Sequence, residues 1–161
     1  MIYIQLIGLL AFCILVLSFY RKNTVTILTY QTVANLTYAV HYFLLGGLTG
    51  AFISAISAIR NIVFIKYKNK IVIPIFIIIY LIVTITFYEN IYSIFPLIGN
   101  SIYLSFMMFN TKKHLLIGEI LSASLWLIYS IFVLSYSGVV TELILITSNI
   151  IILMRLRNKK S

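Results

Sequence analysis

The stretch HYFLLGGLTGAFISAISAIRNIVFIKYKNK, residues 41–70, places a histidine, an arginine and an asparagine among apolar residues. A Gly-rich turn opens its apolar segment, and a cluster of lysines closes it. A helix of about 17–25 apolar residues is long enough to cross the hydrocarbon core of a bilayer. The stretch therefore predicts a membrane-spanning helix with a basic end and polar side chains inside it.

The composition extends this prediction to the whole chain. Of the 161 residues, 62% are hydrophobic and only 9% are charged, and the mean hydropathy is +1.10. Soluble domains carry about 25% charged residues, so this chain has too few to cover a water-facing surface. We predict an all-α, multi-pass membrane protein that is surrounded by lipid.

Seven apolar segments are separated by short polar connections. The first segment has no basic residue before it and no cleavage site after it, so we predict a retained helix and not a signal peptide. The predicted spans are 2–20, 24–45, 50–66, 71–88, 91–109, 114–135 and 139–155.

Basic residues mark one side of this arrangement. With seven spans, eleven of the twelve Lys and Arg residues fall on the side of the C-terminus, and the twelfth, Arg60, lies inside a helix. The positive-inside rule then predicts an external N-terminus and a cytoplasmic C-terminus. The net charge of +9 is explained by topology and not by nucleic-acid binding. The eleven residues are Arg21, Lys22, Lys66, Lys68, Lys70, Lys112, Lys113, Arg155, Arg157, Lys159 and Lys160.

The order of the loops suggests an internal repeat. A first three-helix bundle (1–70) and a second (90–161) share the order of basic and neutral loops, and a linker helix (71–89) restores the orientation. This 3+1+3 layout is that of two parallel halves related by an axis along the membrane normal. A shift of 88 residues pairs Gln31 with Glu119, Tyr38 with Trp126, Gly50 with Gly138 and Asn61 with Asn149.

Two asparagines lie at equivalent depths in the predicted halves. Asn61 and Asn149 precede the basic side by five to six residues, which is about 8–9 Å of helix. Interhelical hydrogen bonding that stabilises the bundle is one interpretation. A pair of amides that face each other across the pseudo-axis and bind a polar solute is the other, and the sequence leaves both open.

Other polar residues also carry two interpretations. Arg60 either extends to the membrane surface or pairs with Glu119, which is similarly shallow. Glu142 either reaches external water or binds a proton or cation at an outer gate. His41 is either a hydrogen-bonded structural residue or a proton relay. Gln31, the repeat partner of Glu119, is a further polar residue that could take part in pairing or gating.

Small residues and one proline suggest packing and movement. Gly46, Gly50, Ser54 and Ala58 recur at every fourth residue, a spacing that lets another helix pack closely. The fifth span contains Pro96, Gly99 and Asn100, which could kink the helix and free backbone carbonyls, so we consider a hinge there.

The sequence gives little evidence for an enzyme. His41 and His114 belong to opposite membrane sides, the chain has no aspartate, and its three glutamates are dispersed. Cys13 is the single cysteine, so no intrachain disulfide forms. We predict no catalytic residue, no metal site and no cofactor.

The motif HYFLLG…GA…AIR at 41–60 resembles the HFFLLG…GA…AIR pattern of the YgjV-type bacterial inner-membrane proteins. Trp126, Glu142 and Asn149 fall at spacings similar to those of that family's second half, whereas Ser57 stands where an asparagine is expected. The family is similar in layout to the SWEET, PQ-loop and PnuC-type transporters, although the proline–glutamine signature is missing. The resemblance implies a bacterial plasma membrane location and a solute pathway between two three-helix bundles. In sugar transporters of that group, paired Asn and Trp residues hold the substrate, and the pairs Asn61 with Asn149 and Tyr38 with Trp126 are similar in kind.

Two functions follow from these patterns. The first is a transporter or facilitator of a small polar solute, with alternating access between the halves. The alternative is a membrane partner or regulatory subunit that transports nothing and uses the small-residue ridge to contact a second protein. A homo-oligomer is compatible with both.

Overall fold

Seven α-helices make up the chain in a computed structural model that describes residues 1–21, 23–67, 71–109 and 111–158. The prediction of an all-helical chain is therefore confirmed. The short 3₁₀-helix Ile91–Ser93 precedes the fifth helix. The helices are α1 Ile2–Phe19, α2 Thr24–Leu44, α3 Leu48–Lys66, α4 Val72–Thr86, α5 Ile94–Met107, α6 Lys112–Phe132 and α7 Tyr136–Asn158.

Local signals in the sequence set several helix boundaries. The side chain of Asn23 accepts a hydrogen bond from the Val25 amide, and Thr111 accepts one from the His114 amide, so a polar side chain caps α2 and α6. Two connections pass through a left-handed residue, Gly46 at φ 83° and Leu134 at φ 56°. The second is unusual because a leucine rarely adopts this conformation.

The helices pack as two groups of three. In the first group α2 lies between α1 and α3, and in the second α6 lies between α5 and α7. The groups meet where α1 contacts α7 and where α3 contacts α5, and α4 packs against α3 and α5. The centre of the molecule therefore lies between two helical layers.

The two ends of the bundle differ in charge. Hydrogen bonds from Gln5 to Leu134 and from Gly50 to Tyr129 gather the start of α1, the start of α3 and the end of α6 at one end, here called the neutral end. The opposite ends of the helices form the basic end, where described basic side chains are exposed: Arg21, Lys66, Lys113, Arg155 and Arg157. Lys22, Lys68, Lys70, Lys159 and Lys160, and the side chain of Lys112, lie outside the described part of the chain.

The surface is that of a helical membrane protein. Large apolar side chains are exposed on the outside of the bundle, among them Leu6, Ile78 and Leu143. Within the described residues, three helices are long and apolar enough to cross a membrane, namely Leu48–Lys66, Lys113–Phe132 and Tyr136–Asn158. The apolar parts of α1, α4 and α5 are shorter. The helix α2 is in neither the long nor the shorter set of apolar helices, and its polar residues line the interior of the bundle.

Candidate functional site

A cavity of about 150 Å³ lies between the two helical groups. Every helix except α4 contributes to its wall. Most of the residues that line it have polar side chains, although the surrounding bundle is apolar. Its amides and charged groups are Gln31, Asn35, Asn100, Arg60, Glu119 and Glu142, and its aromatic residues are Tyr38, Tyr42, Tyr103 and Trp126.

Arg60 is held at the wall by uncharged partners. Its side chain is 6% exposed, and its Nε and Nη2 donate to Oδ1 of Asn61 at 3.2 and 2.9 Å. Nη1 donates to the Tyr80 hydroxyl at 3.4 Å, and the guanidinium lies 5.7 Å from the ring centroid of Tyr103. Since no described carboxylate forms an ion pair with it, the positive charge is fixed in place but not neutralised by direct contact.

Two glutamates face the same cavity from the second helical group. Glu119 on α6 lies beside the amide of Asn149, whose Nδ2 nevertheless has no hydrogen-bond partner of ordinary geometry among the described residues. Glu142 on α7 shares the cavity wall with Tyr38 and Tyr42, and it directly follows Thr141, whose Oγ1 lies 2.8 Å from the Tyr38 hydroxyl. Neither carboxylate forms an ion pair within the described part of the chain.

Hydrogen bonds between the two groups close the cavity toward the neutral end. The Tyr38 hydroxyl lies 2.8 Å from Oγ1 of Thr141, and the Tyr42 hydroxyl lies 3.0 Å from Oγ of Ser130. The Gly50 amide donates to the Tyr129 hydroxyl at 2.9 Å. Each bond joins a residue of α2 or α3 to a residue of α6 or α7, so this end separates only if these bonds break.

His41 anchors the neutral end beyond these bonds. It is fully buried, with Nδ1 at 2.8 Å from the Ile4 carbonyl and Nε2 at 2.7 Å from Oγ of Ser135. A carbonyl oxygen only accepts, so Nδ1 carries a proton and a neutral imidazole accepts from Ser135 through Nε2. The Ser135 oxygen in turn accepts from the Gly138 amide at 3.1 Å. His41 therefore connects α1 and α2 to the α6–α7 connection.

A family model for the bacterial inner membrane protein family Imp-YgjV matches residues 2–160. The chain belongs to this family. A search of curated proteins and a search of solved structures give no match. The Imp-YgjV match confirms the predicted family and, together with the apolar helices, places the chain as a multi-pass protein of the bacterial inner membrane.

The cavity of this Imp-YgjV protein brings together seven of the residues that the sequence nominated. Two nominated residues, Asn61 and Asn149, are buried but do not line it. They lie one layer behind the wall, where Asn61 holds Arg60 and Asn149 lies beside Glu119. The seven nominated residues on the wall are Gln31, Tyr38, Arg60, Asn100, Glu119, Trp126 and Glu142.

The nominated hinge residues have a tightly packed setting. Pro96 is the third residue of α5, where a proline removes no helical hydrogen bond, and its carbonyl accepts from Nδ2 of Asn100 at 3.0 Å. Gly99 allows α5 and α6 to approach closely, because a Cβ there would lie 3.2 Å from the Ser122 carbonyl oxygen. The helix runs through all three residues without interruption.

Several wall residues were missed by reasoning from the sequence. Asn35 and Tyr42 are two of them, and a signal for them exists. Together with Gln31 and Tyr38 they recur at intervals of three to four residues, which places all four on one face of α2. Tyr103, Ser122 and Thr141 have no comparable signal, because such residues are common throughout this chain.

Proposed function

We propose that this protein is a carrier for a small polar solute, with two three-helix halves that enclose the solute and alternately open to either side of the membrane. The observation that carries the proposal is the cavity between the halves, lined with amides, hydroxyls, charges and aromatic rings inside an apolar bundle. Ionisable groups are costly in a membrane interior and usually mark a solute or ion pathway. The chain would then act by binding and movement, without catalysis, metal or cofactor.

The connections at the neutral end support an internal repeat. Between α2 and α3 the amides of Leu45, Gly46 and Gly47 donate to the carbonyls of residues 41, 43 and 42. Between α6 and α7 the amides of Val133, Leu134 and Ser135 donate to those of residues 129, 131 and 130. The two patterns are the same when the chain is shifted by 88 residues, the separation of Tyr42 and Ser130. The left-handed residues Gly46 and Leu134 obey the same shift.

The cavity wall supports the same repeat. Twelve of its seventeen residues form pairs that are 88 positions apart, with one member from each helical group. Equivalent faces of equivalent helices therefore enclose the cavity, as expected of a 3+1+3 carrier of the kind seen in SWEET-like proteins. The pairs are Leu15 and Tyr103, Gln31 and Glu119, Asn35 and Ala123, Tyr38 and Trp126, Ser54 and Glu142, and Ser57 and Leu145.

The distribution of charge supports the proposed orientation. The described basic side chains outside the bundle interior lie at the basic end, whereas Glu89 is exposed at the neutral end. The positive-inside rule then places the basic end and the C-terminus in the cytoplasm and the N-terminus outside. In this orientation the hydrogen bonds of Tyr38 and Tyr42 close the cavity toward the outside.

The alternative, a partner or regulatory subunit without transport, requires an exposed small-residue ridge. Only Gly46 of that ridge is exposed. Gly50 contacts Tyr129, Ser54 lines the cavity, and Ala58 is 1% exposed. Because three of the four residues face their own bundle, the geometry favours the carrier.

A stability screen tests the proposal. In detergent, a solute from a panel of sugars, nucleosides, vitamins, amino acids and amines should raise the melting temperature, since ligand at a hundredfold its Kd stabilises the folded state by about 2.7 kcal/mol. Ala123→Leu fills the cavity and should abolish the shift. Ala55→Leu makes the same change at an apolar surface groove and should keep it.

The same screen distinguishes the two functions. A solute that stabilises the wild type and Ala55→Leu but not Ala123→Leu supports the carrier. If no solute stabilises the folded wild type, or if Ala123→Leu responds like the wild type, the proposed site is wrong.

A further inference from the structure

The ionisable groups on the cavity wall are unequal in number, with two acidic side chains and one basic side chain. Glu119 and Glu142 contribute two carboxylates, and Arg60 contributes one guanidinium. Both carboxylates come from the second helical group. At the corresponding positions the first group has Gln31 and Ser54, so the equivalent wall of the first group carries no negative charge.

We infer that the solute is a small organic ammonium cation, bound where Glu142 meets Tyr38, Tyr42 and Trp126. This inference rests on the proposed carrier function and specifies its solute. Arg60 and Glu119 both lie toward the basic end, so a cationic and an acidic side chain share that part of the cavity wall. Glu142 lies toward the neutral end without a described cationic partner. A carboxylate in a membrane interior that lacks a counter-ion is stabilised by a cationic ligand.

The aromatic rings that share the cavity wall with Glu142 suit an ammonium group. The ring centroids of Tyr38 and Tyr42 are 6.1 Å apart, and those of Tyr42 and Trp126 are 5.5 Å apart. Aromatic faces attract ammonium groups through their quadrupole, and tryptophan does so most strongly. An aromatic cluster beside a carboxylate therefore favours a cation with methyl or methylene groups over a sugar or a carboxylic acid.

The cavity is large enough for a small organic cation. A cavity of about 150 Å³ is the size that admits a benzene-like molecule in an engineered protein. Ammonium compounds of a comparable number of atoms therefore fit it.

Trp126 supplies a direct readout because it is the only tryptophan in the chain and lines the cavity. Its emission is followed in the purified full chain while tetramethylammonium, choline or 3,3-dimethyl-1-butanol is added. The last compound has the shape of choline without the charge. We expect saturable binding of the two ammonium compounds, and at least about tenfold weaker binding of the alcohol, a difference of about 1.4 kcal/mol.

Glu142→Gln keeps the shape of the side chain and removes its charge, and it should weaken choline binding by at least about tenfold. Glu89→Gln makes the same change in an exposed loop and should leave the Kd within about twofold. Equal binding of choline and the alcohol, unchanged binding by Glu142→Gln, or no response to either ammonium compound would overturn the inference. The carrier still stands in those cases if a neutral or anionic solute stabilises the wild type but not Ala123→Leu. The carrier and the inference both fail if no solute stabilises the wild type in preference to Ala123→Leu.

Discussion

Replacing Asn61 with leucine is expected to lower the free energy of unfolding by about 3 kcal/mol. Oδ1 of Asn61 accepts two hydrogen bonds from the Arg60 guanidinium, and both side chains are buried. Leucine is similar in size but accepts nothing, so the charge would keep only its weak bond to Tyr80 and its contact with the Tyr103 ring. A buried charge that loses its partner is strongly destabilising. Equilibrium unfolding in mixed micelles measures the change.

The double variant Arg60→Met, Asn61→Leu separates this mechanism from simple loss of packing. Removing the charge together with its acceptor should restore at least about 1 kcal/mol relative to Asn61→Leu alone. Thr147→Val, on the exposed side of α7, should remain within about 0.5 kcal/mol of the wild type. If Asn61→Leu is as stable as the wild type, Arg60 reaches the membrane surface instead of being held by Asn61.

Replacing Gly50 with alanine is expected to destabilise the protein by about 2 kcal/mol, although alanine favours a helix by about 1 kcal/mol. A Cβ at Gly50 would overlap Cε1 of Tyr129 and lie 2.8 Å from its Cζ. Tyr129 is 1% exposed and packs against the rings of Tyr42 and Trp126. It would therefore have to shift against them and lose its hydrogen bond from the Gly50 amide. The same unfolding measurement applies.

A Tyr129→Leu background provides the control for this change. The smaller side chain leaves room for the new methyl group, so Gly50→Ala should be neutral or slightly stabilising there. An equal loss of stability in both backgrounds would show that the α3–α6 contact at Gly50 is not the cause.

The helices were predictable because their signals are local. The length of an apolar segment and the positions of lysine and arginine are read directly from the sequence, so they predict the helices without any knowledge of packing. The largest differences from the predicted spans occur at helix ends, where α7 begins at Tyr136 and not at residue 139. The connection before α7 passes through Leu134 in a left-handed conformation, and no glycine in the sequence marks that position.

The cavity wall was only partly predictable because it depends on the rotation of each helix. One residue turns the helix by about 100°, so adjacent residues point in different directions. Arg60 lines the cavity while Asn61 lies behind it, and their mutual hydrogen bonds could not be read from their adjacency. Tyr38 and Trp126 were nominated as a pair in the proposed repeat, and the structure places both on the wall.

The two halves use one architecture for different chemistry. Their neutral-end connections share a hydrogen-bond pattern, but the carboxylates lie on one half and the guanidinium on the other. In the proposed carrier, the similar helices would support movement, and the unlike side chains would determine which solute binds and in which orientation.

Access to Ser54 from the two sides of the membrane tests the carrier most directly. Ser54 is 5% exposed and lines the cavity. In a Cys13→Ala background the chain has no other cysteine, so Ser54→Cys can be labelled specifically with a membrane-impermeant thiol reagent. Glu89→Cys, in the loop proposed to be external, serves as the control for sidedness. The carrier predicts that Ser54→Cys reacts from the outer face of intact cells and also from the cytoplasmic face of inverted vesicles. Reaction from neither face, or from one face only, would contradict alternating access through this cavity.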